Sequence, residues 1–87
     1  MKPLNYAILK HFTTVKEANA EDVVRALKRE YGKFKALNEK DVQSSLMTAE
    51  ANGILEETRF ELDSKGKLVV YYHANEDGKA TINRYIK

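Results

Sequence analysis

The side chains best equipped for chemistry in this chain are His11, His73, the Glu56-Glu57 pair and the Gly-Lys dipeptides at 32–33 and 66–67. None of them forms a recognisable site. The two histidines lie far apart in sequence, and no cysteine or suitably spaced carboxylate accompanies them, so the pattern of a zinc or other metal centre is missing. Adjacent residues on a strand point to opposite faces, so Glu56 and Glu57 cannot share one substrate. The Gly-Lys pairs lack the surrounding spacing of a phosphate-binding loop. No nucleophile with a base, and no acid pair, falls on a common face. The chain reads as a non-enzyme with no cofactor and no metal.

A second set of residues suits binding. Lys40, Ser44, Met47, Thr48 and Ala51 share one outer face at helical spacing, with Gln43 at its edge and Asn38 just before it. Lys33 and Lys35 precede that segment, and Arg59, Lys65, Lys67 and Tyr71 fall in a later hairpin pattern. Hydrogen bonding, charge and stacking are the chemistry open to such groups.

The elements that position them follow from periodicity. Leu4, Ala7, Ile8 and Phe12 after Pro3 predict a first helix over 4–12. Residues 13–19 carry no helical period and suit a connection with a short extended piece near 15–18. Asn19, with Asp22 three residues on, opens a second helix over 20–31, whose stripe is Ala20, Val23, Val24, Leu27 and Tyr31. Glu21 is placed to pair with Arg25 on its outer face. Asn38 and Asp41 repeat the pattern for a third helix over 39–52, closed by Asn52-Gly53.

From Ile54 the apolar residues alternate, which predicts a hairpin over 54–74 turning at Ser64-Lys65-Gly66. In that register Leu62 opposes Leu68, Phe60 opposes Val70 and Thr58 opposes Tyr72 on a largely apolar face. Glu61 with Val69, Arg59 with Tyr71 and Glu57 with His73 form the polar one. Asn75 to Gly78 reads as a turn or cap, and Ala80, Ile82, Tyr85 and Ile86 as a short final helix. Tyr6, Tyr31, Tyr72 and Tyr85 fall on expected core stripes, while Tyr71 beside Arg59 is placed for stacking.

Composition bounds the function. Eighty-seven residues make one α+β domain, 1–87, with one modest core and little room for a ligand pocket. The absence of cysteine fits a reducing, cytoplasmic setting. No apolar run approaches the length of a membrane span, and the opening residues do not lead into a signal segment. Net charge is +2, divided as +4 over residues 1–36, −4 over 37–62 and +2 over 63–87. An acidic middle third works against any polyanionic partner there.

Three helices, a two-stranded antiparallel hairpin and a short last helix resemble the winged-helix form of the helix-turn-helix. "ANAEDVVRALK" resembles its supporting helix, and "LNEKDVQSSLMTAEANGILEE" its recognition helix running into the first wing strand. "YYHANEDGKATINRYI" is similar to the second wing strand and last helix of small bacterial regulators of the MarR and PadR kind. The opening "LNYAILK" is similar to YjcQ-like winged-helix proteins. The connection "GKFKALN" is longer than the tight turn of the simplest helix-turn-helix.

The resemblance implies a bacterial or phage transcriptional regulator that binds double-stranded DNA as a homodimer. The third helix would enter the major groove and the wing would touch the backbone. Asn38, Lys40, Gln43, Ser44 and Thr48 become the base-facing residues, Arg59, Lys65 and Lys67 the wing's phosphate contacts, and Lys33 and Lys35 the flanking ones. The alternative is a winged-helix module that binds another protein, without DNA, through Met47 or Tyr71.

Overall fold

Asparagine side chains start three of the four helices in the same way. The Asn19 carbonyl oxygen accepts the Asp22 N–H at 2.7 Å while the Asp22 carboxylate accepts the Asn19 N–H at 3.0 Å. Asn38 accepts the Asp41 N–H at 2.8 Å, and Asn75 the Gly78 N–H at 2.7 Å. Each cap satisfies a backbone donor that the helix cannot, worth about 1 kcal/mol. In the computed structural model, which describes residues 1–87, the elements run α1 (Leu4–His11), α2 (Ala20–Tyr31), α3 (Glu39–Ala51), β1 (Glu56–Leu62), β2 (Leu68–His73) and α4 (Glu76–Tyr85). This is the expected winged-helix order.

The period change after α3 has a definite cause. Gly53 adopts φ +77°, the left-handed conformation, and sends its N–H to the Glu50 carbonyl at 3.0 Å. Ile54 then donates to the Ala49 carbonyl at 2.9 Å, which closes the helix and turns the chain into β1. Between α2 and α3 the longer connection folds as two consecutive turns, with Phe34 N–H bonded to Tyr31 and Leu37 N–H to Phe34.

Helices α1, α2 and α3 pack around Ile8, Phe12, Val23, Val42 and Leu46, all essentially inaccessible. Leu55, Tyr72, Ile82 and Ile86 close the core from the wing root and α4. Helix α4 begins at Glu76, earlier than the expected helix around 80–86, because Asn75 caps it there. Gly78 sits where a Cβ would lie 2.3 Å from the Ile54 carbonyl oxygen, so a glycine lets α4 approach the end of α3. At the other side of α4, the Lys10 ammonium donates to Asn83 at 2.7 Å and to the Ile86 carbonyl at 3.0 Å. No helix is long and apolar enough to cross a membrane.

The hairpin follows the expected register from Leu62 opposite Leu68 to Arg59 opposite Tyr71 and then slips. Glu57 opposes Tyr72 and Glu56 opposes His73, leaving Thr58 as a bulge, so the expected Thr58–Tyr72 and Glu57–His73 pairs do not form. The bulge leaves the Thr58 hydroxyl bonded to the Glu17 carboxylate at 3.0 Å and the Tyr71 carbonyl at 3.3 Å. The extended piece near 15–18 is reduced to one bridge, in which Ala18 and Tyr72 exchange backbone bonds of 3.0 and 2.9 Å.

Burial falls unevenly on the apolar hairpin face and on the tyrosines. The apolar hairpin face is covered only at its root: Tyr72 is buried, whereas Phe60, Leu62 and Leu68 are 64%, 67% and 54% exposed. No helix packs over the outer hairpin, so alternation there marks a wing and not a core strand. Tyr31 and Tyr72 lie in the core as expected, but Tyr6 and Tyr85 are exposed. In α4 the inward positions go to Ile82 and Ile86, which leaves Tyr85 outside.

Candidate nucleic-acid interface

Helix α3 places Val42, Leu46 and Ala49 in the core and turns the opposite side to solvent. Along that outer ridge stand Lys40, Ser44, Met47 and Thr48, all exposed. Lys40 has no ion-pair or hydrogen-bond partner, and neither hydroxyl of Ser44 and Thr48 is engaged within the chain. Ser44 and Thr48 border a shallow recess of about 320 Å³ shared with Asn5 and Asn52. These three polar side chains are free to bond a ligand.

Two of the other expected readers are occupied. The Asn38 side chain accepts from Asp41 N–H and donates to the Lys35 carbonyl at 2.7 Å and to the Asp41 carboxylate at 2.8 Å. Gln43 donates to the Tyr72 hydroxyl at 2.9 Å and is half-buried. Burial pushes the Tyr72 phenol above the ordinary range, and the Gln43 bond opposes that rise. Asn38 and Gln43 therefore hold α3 in place.

The wing cations divide similarly. Arg59 lies over the Tyr71 ring at 3.7 Å from its centroid, reaches Glu17 at 2.8 Å and 3.1 Å, and meets Glu61 at 3.0 Å. Tyr71 donates its hydroxyl to Glu61 at 2.9 Å. Hydrogen bonding to Arg59 holds the Glu17 carboxyl below the usual range and raises the guanidinium further. Lys67 is ion-paired with Glu39, which raises its ammonium. Lys65 at the tip, and Lys33 and Lys35 before α3, are exposed and have no side-chain partner.

Asp63 and Glu17 add two carboxylates to the candidate sites that the spacing of cations and polar residues points to. The Asp63 carboxylate accepts the N–H of Lys65 at 2.8 Å and of Lys67 at 2.9 Å, which shapes the tip and lowers its pKa. An aspartate three residues before a left-handed glycine carries that signal. Glu17 carries none, because its partner Arg59 is brought beside it only by the tertiary fold.

Between α3, the start of α2 and β2 lies an open groove of about 880 Å³. Glu21, Glu39, Glu50, Glu57, Glu61 and Asp63 line it, against Lys40 and Lys67. The acidic middle third of the sequence is thus folded into the angle between α3 and the wing. No group of three His, Cys, Asp or Glu residues converges in an arrangement able to hold a metal ion.

No family model matches the sequence, and no curated protein matches it. Among solved structures the fold is similar to that of Bacillus subtilis PadR, crystallised in complex with operator DNA, with a TM-score of 0.73. Sequence identity is 21%, and the match covers 94% of this chain and 45% of that chain. This chain therefore spans less than half the length of the PadR chain. The likeness establishes the winged-helix fold.

Proposed function

We propose that the chain is the DNA-binding domain of a transcriptional regulator, with α3 in the major groove and the wing against the phosphate backbone. The observation that supports this is the solvent-facing ridge of Lys40, Ser44 and Thr48 on α3, in a fold that PadR presents in a complex with operator DNA. Ser44 and Thr48 meet base edges, and Lys40 reaches guanine or a phosphate. Asn38 and Gln43 set the position of the helix. Lys33, Lys35 and Lys65 are the free phosphate contacts, and Lys67 joins them if Glu39 releases it. Arg59 stiffens the wing through Glu17 and Tyr71.

On this reading residues 1–87 act as a single, non-enzymatic domain in a bacterial or phage cytoplasm. A homodimer would read a two-part site. The carboxylates in the groove repel phosphate, so contact is confined to the ridge and the wing tip and few phosphates are neutralised. Each neutralised phosphate adds about 0.9 to the slope of log K against log salt.

Titration of labelled duplex at several salt concentrations tests the proposal. Affinity should fall as salt rises, and replacing Lys65 and Lys67 together by alanine should flatten that fall. An absence of binding at low salt would sink it.

A second reading, a protein-binding module without DNA, is favoured by Met47, whose side chain stands 57% exposed at the centre of the ridge. Tyr71, the other candidate contact, lies half-buried beneath Arg59 and has less to offer a partner.

A further inference from the structure

Strand β2 has an edge that the fold leaves open. Asp63 N–H bonds the Lys67 carbonyl at 2.9 Å, which sets the alternation of the ladder. Val69 and Tyr71 therefore turn their backbone groups toward β1, and Leu68 and Val70 turn theirs away. Tyr72 continues that outward series and meets Ala18 through two bonds. At Asn19 the chain leaves for α2, so pairing stops after a single bridge. Outside the β1 ladder the backbone of Leu68 and Val70 has no partner.

This edge forms one side of the groove of about 880 Å³. Met47, Leu68 and Val70 supply apolar surface there, and six carboxylates stand among the polar lining residues. An unpaired strand edge beside a groove is the geometry of strand addition: main-chain bonds hold an extended segment, and alternate side chains select it.

We propose that this groove receives an extended, lysine- or arginine-rich segment of another protein, which pairs with Leu68 and Val70 in line with Ala18. Charge identifies the occupant. Glu21, Glu39, Glu50, Glu57, Glu61 and Asp63 outnumber Lys40 and Lys67 in the lining. Glu50 and Glu57 line the groove and belong to no ion pair, so they face it uncompensated. A second copy joined edge to edge would oppose the same carboxylates, and a nucleic acid would meet like charge. An extended basic segment satisfies both the backbone edge and the carboxylates.

The test contains no DNA, so its failure is distinguishable from failure of the duplex titration. The probe is a fluorescein-labelled octapeptide of alternating lysine and valine. Three peptides are compared: the parent, one with its central four amides N-methylated, and one with glutamate in place of lysine. The parent should bind and shift the amide resonances of Leu68 and Val70. N-methylation should weaken it at least ten-fold with charge unchanged, and the glutamate peptide should not bind.

Glu50→Gln with Glu57→Gln should weaken the parent at least five-fold while leaving the remaining amide spectrum in place. Equal binding of the N-methylated and parent peptides would overturn the proposal, as would shifts that miss Leu68 and Val70. Failure of the parent to bind at low salt would do the same.

Discussion

The Gln43 amide donates to the Tyr72 hydroxyl at 2.9 Å and so fastens α3 to the root of the wing. Tyr72 is itself fixed by burial of its ring and by the two backbone bonds to Ala18. Helix ridge and wing thus share one support, and their relative position does not depend on a ligand.

Removing that bond should therefore change affinity through geometry. Tyr72→Phe should lower unfolding free energy by about 1 kcal/mol, the net worth of one ordinary hydrogen bond. It should weaken duplex binding without altering its salt slope. Denaturant unfolding and the salt titration measure the two effects. Altered base preference in Gln43→Ala, with stability unchanged, would instead show that Gln43 reads DNA.

Acid should loosen the wing tip. Bonding to the Lys65 and Lys67 amides favours ionised Asp63 and depresses its folded-state pKa. The stabilisation is thus complete above the unfolded value of about 4 and is lost as pH falls through the lower folded value. Protection of the Lys65 and Lys67 amides, taken relative to their intrinsic exchange rates at each pH, should fall over that range. In Asp63→Asn, which keeps an acceptor and cannot titrate, the acid step at the tip should vanish; its persistence would refute the assignment.

Close approach makes Gly78 sensitive. A Cβ there would lie 2.3 Å from the Ile54 carbonyl, which is backbone and cannot swing aside. Gly78→Ala should cost about 1–3 kcal/mol as overpacking, despite alanine's better helix propensity. Chemical denaturation decides it: an unchanged or raised midpoint would mean that α4 sits farther from α3 than described.

Phenylalanines in two settings should behave oppositely. Phe12 is fully buried and Phe60 is 64% exposed. Phe12→Ala should cost about 3–5 kcal/mol, whereas Phe60→Ser should stay within about 0.5 kcal/mol. The Phe60 variant should also aggregate less at high concentration, since exposed apolar surface favours non-specific association. A large loss of stability at Phe60 would mean that the hairpin packs inward.

Local rules account for what sequence alone could reveal. Asn19, Asn38 and Gly53 act within a few residues of themselves, so the limits of α1, α2 and α3 and the period change were readable to within a residue, whereas the start of α4 at Glu76 was not. The hairpin register was readable as far as Arg59, because it is counted outward from the tip turn. Beyond that point the Ala18–Tyr72 bridge governs, and alternation cannot report a tertiary contact. The outer face of α3 was readable from helical spacing, but which side chains on the candidate surface stay free was not: Gln43, Arg59 and Lys67 each have a partner that the fold supplies. A segmental charge of −4 was visible, but its gathering into one groove needed α2, α3 and β2 in place.

That same bridge bears on how the chain reaches its structure. Helix turns and the hairpin close short loops, whereas Ala18 must find Tyr72 across most of the intervening sequence, a slower and entropically costlier step. On that ground the wing root should dock late, after the helices have met. Weakening it should leave the refolding rate nearly untouched and hasten unfolding, so the junction that orients α3 against the wing is also the latch that sets how long the native state lasts.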